Sequence, residues 1–106
     1  MNETEIKVGD IFVARWGYVD KIVDFFKVIK KTKHTVVIKM LESKVVKRIK
    51  EEGYAVQQMV VPSNKFQECS TEKRKVIQDD GSLKITSFYS ATKWTGEPVK
   101  EILGYY

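Results

Sequence analysis

The chain has one cysteine, Cys69, one histidine, His34, and two prolines among its 106 residues. A lone thiol closes no internal disulfide, so the cysteine content asks for no oxidising compartment. Zinc sites need several Cys or His ligands at short spacings, and one of each does not supply them. A Cys–His nucleophile pair would need Cys69 and His34 to meet in space. As a loop cysteine in Gln67-Glu68-Cys69-Ser70 and a turn histidine, they read as surface residues. The six glycines are scattered singly, so no phosphate-cradling loop is present. The carboxylate pairs Glu51-Glu52 and Asp79-Asp80 sit in predicted turns, where acidic neighbours are solvated. No catalytic residue, metal or cofactor is therefore expected, and no enzymatic activity. No apolar run approaches the ~18–20 residues that span a bilayer. The start, MNETEIKVGD, is acidic where a signal peptide is basic and then apolar. The expectation is a cytoplasmic protein with no membrane contact.

What is present is apolar and aromatic residue enough for one core. Hydrophobic residues make up 42% and aromatic residues 11%, and the length fits a single domain. Residues 1–8 read as a polar tail and 9–106 as the domain. After a Gly9-Asp10 turn, Ile11 to Trp16 is rich in β-formers and predicts a strand. Ile22 to Lys30 predicts a second, with imperfect alternation at Phe25-Phe26 that fits a twisted barrel strand. Thr35 to Leu41 alternates and predicts a third. Glu42-Ser43-Lys44 reads as a turn, Val45 to Lys50 as a strand, and Glu51-Glu52-Gly53 as another turn. Tyr54 to Val61 predicts a strand ending at Pro62. Ser63 to Lys73 reads as a polar loop. Arg74 to Gln78 and Leu83 to Tyr89 read as a hairpin around Asp79-Asp80-Gly81, and Trp94 to Pro98 as a turn. The apolar end Ile102 to Tyr106 is expected to pack on the barrel.

Short strands at regular spacing predict an all-β domain, a small barrel or sandwich with a C-terminal hairpin extension. At most one short helix is expected, near Lys44–Lys50 or in the Ser63–Lys73 loop. Trp16, Phe25, Phe26, Phe88 and Trp94 are expected to fill the core, with both tryptophans largely buried.

The opening third, from Gly9 through Trp16 and then Phe25-Phe26-Lys27-Val28-Ile29, is similar to the start of Tudor, KOW and Src-homology-3-like barrels. Two further segments resemble a group of short proteins of unknown function carried by phages, plasmids and other bacterial mobile elements. The first is Trp16-Gly17-Tyr18 followed by Val23-Asp24-Phe25-Phe26, against Trp-Gly-Tyr and Val-Asp-Phe-Tyr in the group. The second is Thr86-Ser87-Phe88-Tyr89 followed by Trp94-Thr95-Gly96-Glu97-Pro98, against Thr-Ser-Tyr and Trp-Asp-Gly-x-Pro. A polar Asp-Gln-Thr-Asn run in the group is Val19-Asp20-Lys21-Ile22 here, and its second-motif Asp is Thr95. The resemblance implies a mobile-element origin in a bacterial host cell and no particular activity.

The net charge is +5, and it is concentrated. Residues 21–50 hold ten basic and two acidic groups. Lys27, Lys30, Lys31, Lys33 and Lys39 flank the second connection. Lys44, Lys47, Arg48 and Lys50 follow. In a small barrel these two groups can share one edge. Such an edge attracts phosphate backbones without reading sequence, and Tyr18, Tyr54 or Tyr89 beside it would stack on unpaired bases. The same charge also fits an acidic surface of a host protein, or a solvated edge that blocks strand pairing. Lysine brings charge without the bidentate geometry of arginine, so sequence-specific readout is not expected. The sequence thus leads to a binding module, either nucleic-acid-associated or directed at a host enzyme or defence protein as an inhibitor.

Overall fold

The computed structural model describes residues 6–17, 22–52 and 55–104. Every regular element among them is a strand. They are β1 (Ile11–Trp16), β2 (Ile22–Lys31), β3 (Thr35–Glu52), β4 (Ala55–Phe66), β5 (Lys73–Val76), β6 (Leu83–Lys84), β7 (Ser90–Lys93) and β8 (Val99–Gly104). The all-β expectation holds. Both places where a short helix was allowed are strand in whole or in part, and no helix there is long or apolar enough to cross a membrane. The strands form one antiparallel sheet in the order β6-β7-β1-β2-β3-β4-β8, with β5 added beside β3.

The chain enters this sheet earlier than its polar start implies. Ile6 is buried in the core. A turn at Gly9, whose φ of 99° favours glycine, brings it there. The Gly9 amide donates to the Val28 carbonyl at 2.8 Å, and the Val28 amide donates to the Asp10 carbonyl at 2.9 Å.

β1 begins and ends where its β-forming residues do. β2 breaks simple alternation because both of its faces are covered. Phe26 lies opposite Phe12 and Met40, in a core that includes Val28, Ile38 and Leu83. Its neighbour Phe25 points the other way, opposite Val13 and Leu41, in a second core with Val23 and Val60. Two adjacent buried phenylalanines thus mark a strand between two cores.

β3 is longer than expected. Glu42-Ser43-Lys44 is not a turn: the strand runs on through it and through Glu51-Glu52, 18 residues in all. Laid straight, it would measure about 59 Å, yet the longest extent of the molecule is 47 Å. Register shifts between Leu41/Ser43, Val45/Lys47 and Arg48/Lys50 coil it. At the first shift the surplus lies on β4, where Ser63, Asn64 and Lys65 stand against Glu42 alone; at the other two the extra residues are Val46 and Ile49 of β3. The polar Glu42-Ser43-Lys44 run mimics a turn in the sequence although β3 continues through it.

β4 likewise runs through Pro62 to Phe66, shortening the expected polar loop to Gln67–Glu72. β8 pairs with β4 only from Ala55 to Val60. Pro62 therefore sits where β4 has an open edge, and its missing N–H costs no ladder bond. The expected hairpin at Asp79-Asp80-Gly81 forms, but it is held by the single bridge Ile77–Leu83 and a Gln78 amide to Ser82 carbonyl bond of 2.8 Å. Beyond Lys84 the chain leaves it, and residues 85–89 loop over to β7.

The sheet curls until β8 faces β2. The Glu101 carboxylate, buried on β8, accepts from the Val23 amide at 3.0 Å and from Gln58 Nε2 at 2.9 Å. One side chain thereby ties three strands.

The tryptophans depart from expectation. Trp94 is half-buried, edge-on to Phe25 at 6.1 Å, with Nε1 donating to the Glu97 carbonyl at 2.7 Å. Trp16 is 38% exposed. It lies at the end of β1, and its indole N–H finds Asp24 rather than an apolar interior. Phe88, also expected inside, is 93% exposed. Tyr105 and Tyr106 lie outside the described residues.

Candidate nucleic-acid interface

The basic residues of β2 and β3 are placed by register. Lys27 stands directly opposite Lys39. Lys30 stands opposite Val37, which on its other side faces Arg74 of β5. Lys31 stands opposite Val36, which faces Lys75. Lys73 faces Ile38. Lys33 is in the turn between β2 and β3, with His34. Neighbouring strands lie about 4.8 Å apart and alternate residues about 6.6 Å apart. Eight cationic side chains therefore gather at this end of the unit β2–β3–β5, on both of its faces: Lys27, Lys39, Lys30 and Arg74 on one, Lys31, Lys73 and Lys75 on the other with Val36 and Ile38, and Lys33 in the turn.

No Asp or Glu occurs from Lys27 to Lys39 or from Lys73 to Val76. None of the eight is ion-paired among the described residues. Lys39 Nζ lies 4.8 Å over the Phe66 ring, and Arg74 Nη1 donates to Thr35 Oγ1 at 3.4 Å. Like charges opposite each other across a ladder are destabilising. The Lys27–Lys39 pair is therefore a local cost, offset in part by the aromatic ring under Lys39.

The other half of the sequence-predicted set is elsewhere. Lys44 and Lys47 lie on the part of β3 that extends beyond β2, with Lys47, Met59 and Lys100 in one row across β3, β4 and β8. Arg48 belongs to the next row, with Gln58 and Glu101. Lys50 is opposite Gln57, and its side chain lies outside the described part. Lys39 and Lys44 are five residues apart on β3, about 16 Å of strand. The two basic groups thus occupy successive stretches of β3, one beside β2 and β5 and the other beside β4, rather than one edge. Tyr18 and Tyr54 lie outside the described residues.

Three contributions were not visible in the sequence. Lys73, Arg74 and Lys75 join the basic end through β5, a long-range pairing; the local signal was a bare Lys-Arg-Lys run. The second is Phe88. Thr86 Oγ1 accepts from the amides of Phe88 at 3.0 Å and Tyr89 at 3.3 Å, fixing a tight loop that turns the Phe88 ring to solvent. The third is a pocket of about 360 Å³ on the first-core face of β2 and β3, lined by Phe26, Ile38, Met40, Lys73, Lys75, Thr86 and Tyr89 among others.

Beside that pocket, Tyr89 stacks on Trp16 at 6.2 Å with 18° between the rings, and Trp16 Nε1 donates to Asp24 Oδ2 at 2.6 Å. Burial raises the Asp24 pKa, the Trp16 hydrogen bond opposes the rise, and the Glu101 charge adds to it. Burial also raises the Tyr89 hydroxyl, with the Asp24 charge acting the same way.

His34 and Cys69 are not brought together. The His34 carbonyl accepts from the Ile77 amide, whereas Gln67, two residues before Cys69, is bound to Met40. Six residues of β3 separate those anchor points, roughly 20 Å. Compared with models of protein families, with curated proteins and with solved structures, the chain matches none of them.

Proposed function

We propose that this protein is a non-enzymatic nucleic-acid-binding module, an accessory factor of a mobile element, that holds phosphate backbones on the β2–β3–β5 end. The observation that carries this reading is eight cations, seven on three paired strands and Lys33 in the turn between two of them, with no carboxylate among them. A sheet end that merely stays soluble gains from interspersed charges of both signs. Here Lys27 faces Lys39 at a cost in stability, which an anion between them would remove. Lysines dominate, so the contact is electrostatic and tolerant of sequence. The exposed Phe88 ring gives the 85–89 loop a surface on which a base can stack.

The test is a titration of labelled duplex and single strand at low salt. Lys27, Lys30, Lys39 and Arg74 changed together to Gln should bind neither, while Lys44, Lys47 and Arg48 changed to Gln should retain most of the affinity. Equal loss from both sets would move the interface off this end.

A second reading has its own observation. Val45, Val46 and Ile49 on the far half of β3 are each close to half exposed, beside Lys44 and Lys47. That stretch suits contact with an acidic, partly apolar surface of a host protein. Under this reading the second variant set, not the first, would lose its partner, and the loss would depend little on salt.

A further inference from the structure

The pocket on the first-core face has a composition that selects a ligand. Its floor is Phe26, Ile38 and Met40, continuous with the first core. Its wall carries two lysines from β5, and no carboxylate lines it. The Lys75 ammonium already donates to the Ile85 carbonyl at 2.9 Å, which holds the 85–89 loop over the cavity. Lys73 has no partner among the described residues and remains open to a ligand. The Tyr89 ring is backed by Trp16, itself fixed by Asp24, so that wall is set before anything binds. An apolar floor, a preset aromatic wall and one free cation suit a flat ring that carries an anionic group. A volume of about 360 Å³ is at the small end of ligand sites.

We infer that this pocket takes one unpaired nucleotide, its ring against Met40 and Tyr89 and its phosphate at Lys73. The inference rests on the nucleic-acid reading above and adds to it a preference for unpaired over paired bases. A base inside a duplex is stacked on both faces and cannot enter without leaving the helix.

Cys69 supplies the test. It is the only cysteine of the chain, it is exposed, and it lines this pocket. Its alkylation rate in the whole protein at low salt therefore reports occupancy. The probes are oligothymidylate, the same strand annealed to oligoadenylate, and thymidine monophosphate, with binding of the first two followed by anisotropy. At ten times its dissociation constant the single strand should slow alkylation about tenfold. The duplex, held through Lys27, Lys30, Lys39 and Arg74 on the face opposite the pocket, should leave the rate unchanged. Slowing by the mononucleotide as well identifies a free nucleotide as sufficient; slowing by the strand alone identifies a nucleotide within a chain.

A strand that binds without slowing Cys69, or a duplex that slows it as much, overturns the pocket and leaves the basic end standing. Slowing by the mononucleotide without binding of either polymer does the reverse. No binding and no slowing overturns both. Thr71→Trp, at the exposed rim, should abolish the protection without lowering the melting temperature. Protection that survives in this variant, with the fold intact, counts against the pocket.

Discussion

Asp24 is the residue where the fold and its solvent disagree. Its carboxyl is half-buried, beside Trp16 and within reach of the Glu101 charge, and its pKa lies above the ordinary 3.8. A carboxyl raised in this way favours the protonated form in the folded state. Its contribution to stability is therefore complete below the unfolded pKa and is lost as pH rises through the folded one. At neutral pH the ionised group works against folding. Asp24→Asn keeps an acceptor for the Trp16 indole, so the variant should melt higher than wild type at pH 7. The difference should vanish below about pH 3.8. A wild type that melts higher at pH 7 would show that the charged hydrogen bond outweighs burial. Phe88 poses the opposite case. Its ring touches water over nearly all its surface, so Phe88→Ala should change stability by no more than about 0.5 kcal/mol. The same variant should weaken binding of single strands by about 1–3 kcal/mol. By contrast, Phe25→Ala removes a ring from the second core and should cost about 3–5 kcal/mol in a denaturation experiment.

At the scale of elements, the curl of the sheet depends on β8 reaching back to β2, and Glu101 makes that link. Removing its carboxylate orphans the Val23 amide and the Gln58 side chain. Glu101→Ala should cost about 1–3 kcal/mol for each buried donor left without a partner. The Val23 amide should lose its protection from hydrogen exchange ahead of the rest of β2. Uniform loss of protection across the domain would mean that β8 and β2 do not separate as a unit. Elements also mark the limits of what the sequence discloses. β1 matches its sequence expectation at both ends, and β2 and the first part of β3 closely, because β-branched and aromatic residues fill them. The far half of β3 was split from it because Glu42-Ser43-Lys44 looks like a turn when the β4 bulge at Ser63–Lys65 opposite it cannot be seen. Pro62 looked like a terminus because the open edge of β4 is a property of the sheet, not of the strand. β5 overlaps the expected hairpin arm Arg74 to Gln78, but its partner is β3, a pairing that no local pattern discloses.

Across the whole molecule, charge was legible and its arrangement was not. The excess between Lys27 and Lys50 can be counted in the chain, but the 18 residues of β3 carry its two halves to different stretches, one beside β2 and β5 and the other beside β4. The basic end is completed by Lys73, Arg74 and Lys75 from much later in the sequence. The pocket beside it joins residues from Phe26 to Tyr89, which no local pattern connects. The central claim is that this end holds phosphates, and counterion release gives it a direct readout. The affinity of the wild-type protein for duplex DNA should be measured across a salt series. The account predicts binding that falls steeply, with a log–log slope of about −0.9 for each phosphate contact. The slope should shrink by about that amount for each contacting residue among Lys27, Lys30, Lys39 and Arg74 that is neutralised. No binding at the lowest salt, where the attraction is strongest, or a slope unchanged by those four substitutions, would contradict it.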